Sequence, residues 1–214
     1  MYPTTRMKTE IGAPVVSVVD DDVSVRKSLS RLIRAAGWDA ETFSSANEFM
    51  ERMPSPGAAC VLLDIQMPGL TGLQLHEWMA GKGVSLPVVF LTGHGSIPTS
   101  VQAMKMGAVD FLLKPVDEET LLEAIRQAIV IHATEKSRRM HLDEIRERHA
   151  CLTVREREVM GQVIGGRLNK QIAVDLGISE KTVKVHRARA MEKMGVRSVV
   201  ALVHACNTAG IPQA

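Results

Sequence analysis

Four short apolar runs limit what this chain can fold into more than any other feature. They are Val15-Val16-Ser17-Val18-Val19, Cys60-Val61-Leu62-Leu63, Pro87-Val88-Val89-Phe90-Leu91 and Val109-Asp110-Phe111-Leu112-Leu113. Each is short and aliphatic on both faces, as a strand buried between two helix layers must be. A weaker run, Asp39-Ala40-Glu41-Thr42-Phe43, reads as an edge strand. Between the runs lie helical spacings: Val25, Leu29, Leu32 and Ile33; Leu73, Leu75, Trp78 and Met79; Val101, Met104 and Lys105; Leu121, Leu122, Ile125 and Ile129. Such repeated alternation of strand and helix argues for a parallel sheet covered on both faces.

The expected architecture is therefore an α/β, flavodoxin-like domain with a five-stranded parallel sheet. Ligands of such sheets sit beyond the carboxyl ends of the strands. Several polar residues fall at that edge: Asp20, Asp21 and Asp22 after the first strand, Asp64 after the third, Thr92 after the fourth and Lys114 after the fifth. Carboxylates converging from separate strands repel, each raising another's pKa. A hard divalent cation resolves the repulsion, and Mg²⁺ suits a few carboxylates with waters and a phosphoryl oxygen. Lys114 adds a fixed positive charge and Thr92 a hydroxyl donor. A carboxylate nucleophile beside a metal and a lysine fits aspartyl-phosphate chemistry.

Composition narrows the class. At 214 residues the chain suits one large or two small domains, and 45% apolar with 23% charged residues is ordinary globular usage. No stretch approaches the roughly 20 apolar residues of a membrane helix. The start, MYPTTRMKTE, lacks an apolar signal core. The three cysteines, Cys60, Cys151 and Cys206, lie far apart and suggest neither a disulfide framework nor a metal site, so a cytoplasmic location is expected. Aromatic residues, at 3%, are too scarce for a single-strand stacking platform.

Charge divides the chain. Residues 1–131 carry 11 Lys and Arg against 15 Asp and Glu, whereas residues 132–214 carry 15 against 9. An acidic part followed by a small basic one suggests two modules, the second attracted to polyanions. Residues 132–149 are mostly charged, without Gly or Pro, and extend the preceding helix as a linker. Met140, Leu142 and Ile145 are its main apolar positions, leaving a solvated helix or a dimeric coiled coil open, the former favoured. Beyond it the signals are those of short helices. Thr153-Val154-Arg155-Glu156 has the form of a capping box, and Gly165-Gly166 ends the helix it starts. Asn169 is expected to cap Lys170–Leu176, Ser179 to cap Glu180–Met194, and a last helix spans about 198–206. Helices joined by short Gly-containing turns read as a helix-turn-helix.

The motifs VVDDD, LLDIQMPG, FLTGHG and DFLLKP resemble the receiver domain of two-component response regulators, over roughly residues 14–131. The resemblance implies that Asp64 accepts a phosphoryl group from a sensor histidine kinase. It implies that Asp20, Asp21, Asp64 and the backbone carbonyl of Gln66 hold Mg²⁺, and that Thr92 and Lys114 contact the phosphoryl group. Phe111 matches the switch aromatic, and the bond before Pro115 an expected cis peptide. The stretch from Leu152 to Ser198 resembles the LuxR-type helix-turn-helix, within a DNA-binding domain at 150–211. Together the two parts are similar to the FixJ-like class, an α/β receiver joined by a helical linker at 132–149 to an all-α DNA-binding domain.

Helical geometry then separates two faces of the helix at 180–194. Val183, Ala190, Met191 and Met194 form an inward stripe, and Lys181, Lys184, Val185 and Ala188 the opposite face. By resemblance, Lys184 and Val185 read bases in the major groove. Lys170 and Thr182 hold phosphate, Lys181 lies on the DNA face, and Arg189 compensates for the short Ala188. His186 packs beside the first helix of the module or touches phosphate. The final helix, with Val199, Val200, Leu202 and Val203, supplies either a second dimer contact or core.

The expected function is a phosphorylation-controlled transcription factor, by analogy an activator, that forms a homodimer when phosphorylated and binds double-stranded promoter DNA. RNA polymerase is a further partner the class allows, and no membrane is involved. The chain is expected not to be an enzyme beyond hydrolysing its own phosphoryl group. One rival keeps the fold but leaves the receiver pocket idle, a phosphorylation-independent DNA binder. Another makes Asp64 the nucleophile of a small-molecule phosphatase or phosphotransferase, for which no substrate-binding cap is visible between the strands.

Overall fold

The computed structural model describes residues 13–93 and 97–212. The stretch 1–12, including the start read above for a signal core, lies outside them, as do His94, Gly95 and Ser96 of and beside the FLTGHG motif. The chain separates into two units, Met1–Glu135 and Lys136–Ala214.

In the first unit the strands are β1 (Val15–Val19), β2 (Asp39–Phe43), β3 (Ala58–Asp64), β4 (Val88–Thr92) and β5 (Asp110–Leu113). They form one parallel sheet in the order β2-β1-β3-β4-β5, which leaves the weakly apolar β2 at an edge. Side-chain alternation sorts the strands onto two cores. Val16, Val18, Cys60, Leu62, Val89 and Leu91 pack with Leu29 and Ile33 of α1 (Val23–Ala35) and with Leu121 and Ile125 of α5 (Glu118–Ala150). Val19, Val61, Leu63 and Phe90 face the other side. There they meet α2 (Ala46–Arg52), α3 (Gly72–Gly81) and α4 (Ile97–Lys105) through Phe49, Leu75, Met79 and Ala103. Full burial of a side chain such as Leu62 or Phe90 contributes about 1.5–3 kcal/mol.

Helix α2 has no counterpart in the sequence reading. Its seven residues are too few to show a period, and Phe49 alone anchors it deeply. Its start was nonetheless written in Ser45, whose hydroxyl accepts from the Glu48 amide at 3.1 Å.

The linker segment belongs to one helix, α5, 33 residues long. Its apolar positions part company: Met140 is exposed, whereas Ile145 is buried and Leu142 packs against the same cluster. That cluster is the core of the second unit. It gathers α6 (Val154–Ile164), α7 (Asn169–Leu176), α8 (Glu180–Lys193) and α9 (Val199–Ala209) around Val159, Met160, Ile172, Val183, Ala190 and Leu202. Arg148 and Arg146 of α5 also donate to the carbonyls of Met194 and Ala209, at 3.3 and 3.4 Å.

Capping follows the sequence at two of the three expected starts. Thr153 and Glu156 form the reciprocal box and Ser179 caps α8; Ser198, read only as the approximate start of the last helix, caps α9. The third expectation is corrected. Asn169 is the first residue of α7 rather than its cap, and the Leu168 amide donates to Gln171 Oε1 at 2.9 Å. The Asn169 side chain instead accepts from Arg187 Nη1 of α8 at 3.2 Å. Gly177 closes α7 in the left-handed region (φ 65°), where a β-carbon would strain the backbone.

Candidate functional site

The sheet reverses its winding between β1 and β3, and the crevice at such a switch point is where these folds hold ligands. Asp20 directly follows β1, Asp64 ends β3, Thr92 ends β4 and Lys114 directly follows β5. Their Cα positions are therefore set by strand registry, and the Lys114 amide donates to the Thr92 carbonyl at 2.8 Å. The peptide bond before Pro115 is cis.

The side chains converge. Carboxylate oxygens of Asp20, Asp21 and Asp64 all lie within 4.8 Å of one another. Lys114 Nζ donates to Asp20 Oδ2 at 2.6 Å and to Asp64 Oδ2 at 2.7 Å, joining residues 94 and 50 positions away. Asp20 and Asp64 are buried, Asp21 is exposed, and Thr92 is fully buried. The Gln66 amide donates to Asp64 Oδ1 at 3.1 Å, which orients that carboxylate. Phe111 is half-buried on β5, against the core on the α3 and α4 side.

The three consecutive aspartates divide their work. Asp20 points into the pocket and accepts from the Asp22 amide at 2.9 Å. Asp22 caps α1, accepting from the Ser24 amide at 2.7 Å, and so stays off the metal-ligand geometry. Burial pushes Asp20 above the usual carboxylate range; hydrogen bonds from Lys114 and the Asp22 amide pull it back, and the Asp64 charge adds the smallest upward push. Desolvation, rather than the mutual repulsion expected from sequence, thus dominates. At Lys114 burial works to lower the ammonium's pKa, but its bonds to Asp20 and Asp64 outweigh that and hold it above the ordinary lysine range.

Three carboxylates with a shared, exchangeable lysine make an all-oxygen donor set, which fits a hard cation and no soft one. Asp64, at the strand end, presents a carboxylate to the same space.

Two residues at this site escaped the sequence reading. A β-carbon on Gly72 would lie 2.2 Å from the Asp64 carbonyl oxygen, so only glycine lets α3 start against the end of β3. Arg26 donates from Nη1 to the Asp20 carbonyl at 2.6 Å, tying α1 to the pocket. Gly72 in the PGLTG stretch was a visible signal; Arg26, one of several cations on α1, was not.

The second candidate site is the outer face of α8. Val183, Ala190 and Met194 are buried and Met191 is half-buried, as the stripe requires, while Lys181, Lys184, Val185, Ala188 and Arg189 are exposed. Lys170 is exposed on α7. Thr182 is half-buried near the α8 start, its amide donating to the Ser179 hydroxyl at 3.1 Å and its hydroxyl sharing a hydrogen bond with it at 2.9 Å. His186 has its Nδ1 buried without a hydrogen-bond partner among the described residues. A further ion pair was not foreseen from sequence: the exposed Lys193 of α8 donates from Nζ to the buried Glu156 Oε2 of α6, at 2.6 Å. That bond, with the Thr153 amide, holds Glu156 down to about 2 despite its burial.

Comparison with known proteins agrees with this layout. Residues 16–126 match the response regulator receiver domain family and residues 150–206 the bacterial regulatory proteins of the luxR family. The response regulator protein TodT of Pseudomonas putida is 42% identical over 191 residues, 89% of this chain and 84% of that protein. The transcriptional regulatory protein FixJ of Azorhizobium caulinodans is 38% identical, covering 93% of this chain and 94% of its own length. Among solved structures, the response regulator StyR is 45% identical with a TM-score of 0.82, covering 92% of this chain and 99% of that one. Full-length FixJ from B. japonicum gives 38% identity and a TM-score of 0.56, covering 93% and 98%. No helix among the described residues is long and apolar enough to cross a membrane. A receiver domain implies a kinase partner, and a LuxR-type domain implies DNA binding. The chain belongs to the two-component response regulators of the FixJ-like class, transcriptional regulators built from a receiver domain and a LuxR-type helix-turn-helix domain.

Proposed function

We propose that Asp64 is the phosphoacceptor of a cytoplasmic regulator whose DNA binding is controlled by phosphorylation. One observation carries the reading: Lys114 joins the carboxylates of Asp20 and Asp64, side chains from two strands, inside a pocket where Asp21 completes a triad of oxygen donors. The division that goes with it is a receiver at 14–131, a helical linker at 132–149 and a DNA-binding domain at 150–211.

Asp20, Asp21 and Asp64, with the Gln66 carbonyl, would hold Mg²⁺, which when bound neutralises charge on a phosphoryl group. Asp64 attacks phosphorus through one carboxylate oxygen. The donor's bond to phosphorus breaks, and its electron pair leaves with the histidine nitrogen of the kinase. Lys114 exchanges a carboxylate partner for a phosphoryl oxygen, and the Thr92 hydroxyl donates to another. The product adds about −1.5 to −2 charge to the pocket, and Phe111 turns as Thr92 moves. Hydrolysis of the acyl phosphate by the protein itself resets the state.

The output face is supported by Ile97, Val101 and Met104 of α4, spaced four and three residues apart and 80%, 46% and 49% exposed. Leu113 of β5 is exposed as well, and apolar side chains left open in this way suit a homodimer contact. Two DNA-binding units brought together engage a two-fold site through raised effective concentration. There Lys184 and Val185 read bases in promoter DNA, Lys181 and Arg189 flank them, and Lys170 and Thr182 hold phosphates. Recruitment of RNA polymerase would make the regulator an activator.

Genome-wide footprinting with and without phosphorylation tests the reading. Protection that strengthens on phosphorylation at two-fold symmetric sites is expected. Identical protection in both states would favour the alternative, a DNA binder with an idle pocket.

A further inference from the structure

The receiver unit is acidic as a whole, yet α1 is not. Along Val23–Ala35 it carries Arg26, Lys27, Arg31 and Arg34 and no acidic residue. None of the four takes part in an ion pair among the described residues. All four line one concave cleft of about 360 Å³ between α1 and β2, with Ser30, Ala40 and Thr42. Ser30 is 7% exposed, and its buried hydroxyl has no hydrogen-bond partner among the described residues. Two of the guanidinium groups are anchored: Arg34 Nη2 donates to the Ala40 carbonyl at 3.1 Å, and Arg26 Nη1 to the Asp20 carbonyl at 2.6 Å. Their remaining N–H donors are held beside the cleft.

Gathering four like charges costs energy unless something negative offsets it. A cleft lined by one sign of charge concentrates field and attracts counter-ions. Guanidinium forks match phosphoryl oxygens, and lysine adds a point charge. The volume lies near the lower bound of small-ligand sites, about 300–1,000 Å³. A concave site of this size suits a compact anion better than a nucleic-acid backbone or a flat protein face.

We propose that the α1–β2 cleft binds a small anion carrying two or more phosphoryl groups. Lys27 and Arg31, both exposed, supply the principal charge contacts, and the Ser30 hydroxyl gains a partner. Arg26 belongs to this cleft and to the frame of Asp20 at once. A bound anion therefore competes for the guanidinium that fixes the Asp20 backbone, coupling the cleft to the acidic pocket; such coupling is reciprocal in binding free energy.

The test is a titration of the full-length protein with inorganic tripolyphosphate, without Mg²⁺ and at constant ionic strength, followed by backbone amide resonances. Saturable shifts are expected over Val23–Arg34 and Ala40–Thr42. Lys27→Gln combined with Arg31→Gln should weaken them by about tenfold or more, the rest of the spectrum showing an intact fold. Lys170→Gln with Lys184→Gln should leave them in place, which separates the cleft from the DNA-reading face. Sulfate at matched ionic strength should give no saturable response. Shifts confined to α8 or to Asp20, Asp64 and Lys114, an equal response to sulfate, or unchanged affinity in the Lys27/Arg31 variant would each overturn the proposal.

Discussion

Two buried carboxylates, one in each unit, have opposite fates. Asp20 is 1% exposed and Glu156 is 3% exposed, and each meets a lysine at 2.6 Å. Burial nevertheless drives Asp20 upward, whereas Glu156 is held down to about 2. Burial is the largest influence on Asp20 but a lesser one on Glu156, and the two also differ in how fully each is satisfied. Lys193 serves one carboxylate, and Glu156 also accepts from the Thr153 amide at 2.9 Å as part of its capping box. Lys114 is divided between two carboxylates, with Asp21 close by. A saturated pair holds helices together; an under-compensated cluster has an unmet demand for positive charge, and perturbed groups of that kind gather at functional sites.

That contrast can be broken by removing each lysine. Lys114→Met takes a cation away from two of the three oxygen donors. Divalent-cation affinity should rise by about tenfold or more, because the competing charge is gone, while phosphorylation no longer alters DNA binding. Calorimetric titration of Mg²⁺ reads the first effect and footprinting the second. Lys193→Met does the reverse: it leaves the buried Glu156 carboxylate with only its capping-box partner, and the melting temperature of the second unit should fall by a few degrees with Mg²⁺ affinity unchanged.

Acid sharpens the same contrast. Glu156 has an ordinary value of 4.5 and a folded value of about 2. Above pH 4.5 it is charged in both folded and unfolded chains, and its contribution to stability is fully present. As pH falls toward 2 the unfolded chain takes up the proton first, and that contribution is lost. Denaturant midpoints of the second unit should decline across this window, and Glu156→Gln should flatten the decline.

The units differ as well in how their surfaces were written in the chain. The pocket draws on positions 20, 64 and 114, which only sheet topology brings together, yet it was legible because each residue ends an apolar run. The face of α8 was legible for the opposite reason: it is local, and helical spacing alone separates Val183 from Lys184. What sequence concealed is equally specific. Helix α2 was too short for a period, although Ser45 marked its start. Asn169 looked like a cap because its side chain can cap, but α7 starts one residue earlier, with Leu168 at the cap position, and the asparagine accepts from Arg187 instead. Spacing shows Glu156 only as half of a local box; its partner across the helix bundle, 37 residues on, leaves no trace there. Ile145 looked like one of three stray apolar residues in a solvated segment, until packing against the second unit's core gave it a place.

Smaller effects belong to the proposed DNA face. Lys184→Ala should cost about 1–3 kcal/mol of discrimination at one base position. Lys170→Ala should weaken all sites alike and lower the salt-dependence slope by about one. Competition binding on mismatched and matched duplexes at several salt concentrations separates the two roles.

The most direct measurement of the central claim is intact-mass analysis after incubation with acetyl phosphate, for the native chain and for Asp64→Asn, with and without Mg²⁺. One added phosphoryl group on the native chain, dependent on Mg²⁺ and missing from the variant, is the result this account predicts. Equal labelling of Asp64→Asn, or labelling indifferent to the metal, would contradict it.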